Sequence, residues 1–235
     1  GRQGVIVAYP NGSGRTSAVL TWNSGACCGY ARATNSDDVG FMRALVDAMI
    51  ARHRVDASRV FATGMSNGAM MAYRLAVEMP DQIAAIAAVS GTMDVDPSLA
   101  RGPMPVLHFH GTADEYVPYA GGHGPRSAPG NVHTSVDATV LAWVRANVAS
   151  PAPVSERLPD TADDGTTVTR LAYRTADDPA RVVLYRIEGG GHTWPGRPRL
   201  EPLLGRATQD ISANEIIWAF FRDHPGGARP ARSPR

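Results

Sequence analysis

The sequence predicts an α/β fold, a mostly parallel sheet flanked by helices. Apolar strand runs alternate with helical patterns along the chain. Several strands, such as Ile83–Val89, are apolar throughout, as strands covered on both faces are. One unit, Arg59–Pro80, couples a short strand to a helix through Gly64-Met65-Ser66-Asn67-Gly68.

The first strand is expected at Gly4–Tyr9, a buried-strand pattern ending at Pro10-Asn11-Gly12. No leader precedes it, and the opening reads as a domain entered after its first strands. A polar loop follows to about Asn35, carrying Trp22-Asn23 and Cys27-Cys28-Gly29-Tyr30, unusual chemistry for a connector. Ser36 is placed to cap a helix with Asp37 and Asp38 in its first turn, where carboxylates match the helix dipole. Val39, Met42, Val46, Met49 and Ile50 fall on one face of that helix. After the Arg59–Pro80 unit come the Ile83–Val89 strand, a strand over Pro105–His110, and a Gly/Pro-rich loop over Tyr119–Asn131. A helix at Val136–Val148 and strands at Thr166–Tyr173 and Arg181–Glu188 follow. A capping box, Ser212 and Glu215, opens a last helix through Ile216–Arg222. Residues 1–225 read as one catalytic domain and 226–235 as a disordered Gly/Pro/Arg tail.

Net charge is +1, which gives no electrostatic case for nucleic acid or an anionic membrane. No apolar run approaches a membrane span. All 23 basic residues are arginine, which carries no functional reading. The adjacent Cys27 and Cys28 do not make a metal site, since zinc needs further ligands at separated positions. Buried thiols and a redox-labile vicinal pair both remain open for them.

The chemistry centres on Ser66. Gly-x-Ser-x-Gly between a strand and a helix is the nucleophile elbow, whose tight turn favours residues without a Cβ two before and two after the serine. A serine that merely caps the helix is the alternative, and the apolar strand and helix flanks favour the elbow. A serine nucleophile needs a base and a carboxylate that orients the base. In α/β-hydrolases they follow in the order serine, acid, histidine. Asp114 stands just past a strand and a Gly-Thr turn, with Glu115 as its rival. His192 follows three glycines after the Arg181–Glu188 strand. All three lie past the carboxyl ends of strands, where open α/β sheets place their sites. His108 and His110 alternate with Phe109 inside a strand and read as surface or core filling; His53, His123, His133 and His224 have no supporting context. The backbone N–H of Asn67 is the expected first oxyanion donor. The second donor stays unassigned, with Gly25–Gly29 as a candidate segment.

With these residues in place the chain resembles the secreted polyhydroxybutyrate depolymerase and feruloyl esterase family of α/β-hydrolases, which are like carbohydrate esterase family 1. The matching pieces are YPNG at Tyr9, WN at Trp22, CCG at Cys27, DDVGF at Asp37 and VDASRVFATGMSNGAMM at Val55. HFHGTAD at His108, VPY at Val117 and IEGGGHTWPG at Ile187 complete the set. The resemblance implies a serine esterase with Ser66, Asp114 and His192 as its triad and no metal or cofactor. It also implies Trp194 and Trp22 as walls of the substrate pocket, an extracellular location, and a polymeric or oligomeric ester substrate. Hydroxybutyrate, feruloyl and acetyl esters all remain open, as do a peptidase or acyl transferase on the same triad and an inactive fragment or binding module. Two departures stand out. Members of the family begin with further strands and an LHG-type loop that supplies the second oxyanion N–H. They often carry a cysteine pair near the positions of Ser150 and Thr175, and both are missing here.

Overall fold

The computed structural model describes residues 4–176, 180–197 and 203–226. Its centre is a six-stranded sheet in the order β3-β4-β5-β8-β7-β6, built from β3 (Phe61–Met65), β4 (Ala85–Val89), β5 (Val106–Gly111), β6 (Val154–Arg157), β7 (Thr167–Arg174) and β8 (Ala180–Glu188). β3, β4, β5 and β8 run parallel, while β7 is antiparallel to both β8 and β6. Only β7 therefore opposes the common direction. The mostly parallel α/β sheet predicted by the sequence is what forms.

β4 and β5 are buried at every position, which explains the unbroken apolar run of β4. Successive side chains on β5 point to opposite faces, so His108 and Phe109 enter different cores. One face is covered by α2 (Asp38–Arg52), α3 (Asn67–Glu78) and α4 (Val136–Ala146), whose apolar stripes meet in a core around Tyr73, Ile86, Trp143 and Leu184. The other face is covered by α5 (Ala213–Asp223), which places Ile217, Phe220 and Phe221 against Phe109, Tyr185 and Ile187. Each such large apolar side chain contributes roughly 1.5–3 kcal/mol by leaving water. Ser212 Oγ caps α5 by accepting from the N–H of Glu215, as its sequence predicts.

Three local expectations are corrected. The cap of α2 is Asp37, which accepts from the Gly40 N–H at 2.9 Å, and not Ser36. Asp38 is buried and accepts from the Asn23 N–H at 2.7 Å, so it anchors a loop as well as matching the helix dipole. Gly4–Tyr9 is no buried strand: Ile6, Val7 and Tyr9 are exposed and the segment pairs with nothing among the described residues. Apolar character alone does not supply a ladder partner, and β3 is the sheet edge on its side with β4 as its neighbour. The loop expected up to Asn35 instead holds a small hairpin, β1 (Ser13–Thr16) with β2 (Val19–Thr21), and a short helix, α1 (Gly29–Ala33). The expected tail lies outside the described residues except Gly226, whose N–H donates to the Ser58 carbonyl at 2.8 Å.

Candidate active site

Ser66 ends the β3 strand and occupies the cap position of α3 with φ 54° and ψ −124°, a conformation that L residues rarely adopt. Its side chain makes no cap hydrogen bond, which separates it from an ordinary helix-capping serine. The strained turn is held by the Ser66 N–H donating to the Val89 carbonyl at 2.9 Å, and by the Ser66 carbonyl accepting from Ala69 and Met70. Gly64 is required by close approach, since a Cβ there would lie 2.5 Å from the Gly68 carbonyl carbon. Gly68 differs from expectation: a Cβ on it would meet nothing within 4 Å, so the crowding is one-sided. Asn67 follows at the first position of α3, where helix N–H groups have no intrahelical partner.

The side chain of Asn67 does something the sequence did not reveal. It pairs with the Trp22 backbone as a peptide group would, accepting from the Trp22 N–H at 2.6 Å and donating to its carbonyl at 3.0 Å. The Trp22-Asn23 segment is further held by Asp38 and by Arg74, which donates to the Asn23 carbonyl at 2.6 Å. The loop from Trp22 to Gly29 is thereby docked on the elbow. Its candidate oxyanion role weakens, because the N–H groups of Gly25, Ala26 and Cys28 are committed to Asn23 Oδ1, Asp94 O and Trp22 O. Trp22 itself stacks on Phe41 of α2, with ring centroids 6.4 Å apart. Cys27 and Cys28 form a vicinal disulfide, and Cys27 is buried against Met70 and Val117.

Asp114 and His192 meet directly. His192 Nδ1 is 2.8 Å from Asp114 Oδ2, with both side chains buried. The other carboxylate oxygen accepts from the N–H groups of Tyr116 and Val117, each at 2.9 Å. These donors satisfy both oxygens of a buried charge, which would otherwise be costly. The acid and base loops are latched backbone to backbone. Ala113 N–H donates to the Gly190 carbonyl at 2.9 Å, and a side chain on Gly111 would collide with the Gly190 and Gly191 carbonyls. Of the glycines before His192, a Cβ on Gly191 would collide with the Leu204 carbonyl oxygen, so close packing of that loop requires it. The His192 N–H in turn donates to Leu204 O at 2.7 Å, and the ring lies against Tyr116, centroids 5.0 Å apart.

The rival acid points elsewhere: Glu115 makes an exposed ion pair with Arg126 at 2.9 Å. E115Q is expected to leave ester turnover within about threefold of wild type, as surface pairs are worth little. A loss comparable to that of an Asp114 variant would reassign the acid.

Ser66 is brought to the same edge of the sheet as the pair. The next strand end carries Ser90, whose hydroxyl donates to Thr193 O at 3.4 Å and so ties the region of the elbow to the His192 loop. The Ser66 hydroxyl is not hydrogen-bonded to His192; such bonds are often long before substrate binds. Trp194 lies two residues beyond His192, donates its indole N–H to Asn214 at 3.0 Å and packs on the α5 core while staying partly exposed. Among the described residues no cluster of His, Cys, Asp or Glu could hold a metal ion, and no helix is long and apolar enough to cross a membrane.

A family model described as phospholipase/carboxylesterase matches residues 32–139. NocK of Nocardia uniformis subsp. tsuyamanensis, which carries the name of an esterase, is 37% identical over 195 residues, covering 78% of this chain and 57% of NocK. Feruloyl esterase B of Piromyces equi is 28% identical over 80% of this chain and 34% of its own length. The chain thus spans little more than half of one relative and a third of the other. Among solved structures, an acetyl xylan esterase from Aspergillus awamori superposes with a TM-score of 0.52 at 17% identity, covering 79% of this chain and 67% of that one. In fold this chain is an α/β-hydrolase, and in sequence it resembles esterases of that fold, feruloyl esterases among them.

Proposed function

We propose that this chain is the catalytic domain, over residues 1–225, of a serine carboxylic-ester hydrolase that works through an acyl-enzyme. The observation that carries the reading is the buried Asp114–His192 hydrogen bond, set on loops latched beside a serine in the strained elbow conformation. In the proposed cycle Ser66 attacks the ester carbonyl as His192 Nε2 takes the hydroxyl proton. Asp114, held by the Tyr116 and Val117 N–H groups, keeps the His192 proton on Nδ1 and stabilises the imidazolium that forms. The Asn67 N–H, at the positive end of α3, faces the developing oxyanion. His192 then returns its proton to the leaving alkoxide, activates water in the same way, and Ser66 is released as the acid product leaves.

The relatives named feruloyl esterase and acetyl xylan esterase support feruloyl or acetyl esters of plant polysaccharide as substrates. Oligomers of hydroxyalkanoates are a further candidate, resting on sequence motifs alone. Trp194 is proposed as a pocket wall because it is partly exposed one turn from His192. Trp22 is proposed with it, its stacking on Phe41 giving a rigid surface. An extracellular location accompanies the polymeric substrate. The test is turnover of p-nitrophenyl acetate and butyrate, then of feruloyl, acetyl-xylan and hydroxybutyrate esters, with Ser66→Ala as control. Turnover that survives this change would remove the proposal.

A further inference from the structure

A buried line of hydrogen bonds runs into the Asp114–His192 pair from the core, and it explains two histidines that sequence reading treats as filling. Tyr73 Oη on α3 is 2.6 Å from His108 Nδ1, His108 Nε2 is 3.0 Å from His110 Nδ1, and His110 Nε2 is 2.8 Å from Val117 O. That last nitrogen is also 3.5 Å from Asp114 Oδ2. Tyr73, His108 and His110 are fully buried, and the two imidazole planes lie within 3° of each other with centroids 5.2 Å apart, edge to edge as their hydrogen bond requires.

The proton order along this line is determined by its end. A carbonyl can only accept, so His110 Nε2 carries the hydrogen toward Val117 O. Burial pushes His110 below the ordinary imidazole range, against the opposing pull of Asp114 and the Val117 carbonyl, and burial and His110 push His108 well below it. With both rings neutral, His110 Nδ1 must accept from His108 Nε2–H, and His108 Nδ1 must accept from the Tyr73 hydroxyl. Burial raises the Tyr73 phenol, which keeps its proton. Every donor then has an acceptor, and all the N–H and O–H dipoles point one way.

We infer that Tyr73, His108 and His110 form an uncharged positioning array, which directs a fixed N–H dipole onto the Asp114 turn and sets the geometry and electrostatic surroundings of the acid that holds His192. The inference rests on the triad reading above and extends it to three residues that touch neither substrate nor reacting atoms. The array acts at two points. Through Val117 O it fixes the turn whose Val117 N–H donates to Asp114 Oδ1. Through the longer arm of the same shared N–H, 3.5 Å, it places positive dipole beside Oδ2, the oxygen that His192 uses. A positive dipole beside a carboxylate favours its charged form over its neutral one. The other groups around His110 are Tyr119, edge-on at 6.0 Å, with His133 and His192 acting at longer range.

Three variants of the chain test this. H110Q keeps a donor near the position of Nε2–H, H110L removes it, and Y73F removes the hydroxyl at the far end while keeping the ring. In H110L, kcat for p-nitrophenyl butyrate is expected to fall about tenfold, as for a lost oriented hydrogen bond, with KM within about twofold. Without the dipole Asp114 stabilises the His192 imidazolium more strongly. The acid limb of kcat/KM should therefore move up by about half a pH unit, and the proton resonance of the His192 Nδ1–H should shift. H110Q should return kcat to within about threefold of wild type, and Y73F should shift the same readouts in the same direction by less. A folded H110L whose acid limb and resonance stay at the wild-type values overturns the inference, whatever its kcat. If H110L does not fold, unmoved readouts in Y73F overturn it equally. An S66A protein that keeps its turnover would instead remove the triad reading, whereas an inactive S66A beside an unmoved H110L would remove the array alone.

Discussion

Ser66→Ala is expected to lower p-nitrophenyl ester turnover by about 10⁴-fold or more, while the protein melts within a few degrees of wild type. The size of the loss follows from what the serine supplies. Without its oxygen no acyl-enzyme forms, and only polarisation of the carbonyl by the elbow's N–H groups is left. The fold should tolerate the change because the Ser66 side chain makes no cap bond and the turn is held by its backbone. Alanine does inherit the left-handed φ of 54°, so a modest drop in melting temperature would be the backbone's own cost. A fluorophosphonate probe gives a second readout. It should label the wild-type chain at one residue and leave S66A unlabelled. Equal labelling of both would mean that the nucleophile lies elsewhere.

Asp114→Asn is the second large effect, an expected loss of about 10⁴-fold in kcat. The carboxylate now accepts the His192 Nδ1–H at 2.8 Å. An amide nitrogen turned to that position would donate instead, which forces the proton onto Nε2, where a base must have a lone pair. The amide could also turn its oxygen toward His192, but its nitrogen would then face the Tyr116 and Val117 N–H groups, donor against donor. Either orientation breaks part of the network, so some destabilisation should accompany the lost activity. A D114N protein with near wild-type kcat would transfer the orienting role to another acid.

Much of this was legible in the sequence because it was local. The elbow, the strand-end positions of Asp114 and His192 and the glycines before His192 are written in short motifs, and β4 in a continuous apolar run. What stayed hidden depends on partners distant in the chain. Val5 to Tyr9 has strand-like composition, yet no pattern within it says whether another strand is there to pair with it. The hairpin Ser13–Thr21 is too short and polar to stand out from a loop. Asn67 reads as the residue after a nucleophile, and only the fold brings its amide to Trp22, 45 positions earlier. His108 and His110 read as surface or core filling, and the structure buries both. Their alignment with Tyr73, on another element, could not be read from alternation along one strand.

The two neutral histidines on β5 also couple folding to acidity. Their folded-state affinity for protons is depressed, whereas in the unfolded chain each takes up a proton near the ordinary value of about 6.5. The stability tied to each is therefore fully present above about pH 6.5 and is lost as pH falls from there through the folded-state values. Chemical unfolding followed from pH 7.5 to 5 should show a steeper decline for wild type than for H108Q, and equal slopes would mean that the rings are protonated without unfolding. A fold built this way carries its own lower pH limit inside the sheet, set by the same strand that delivers Asp114 to His192.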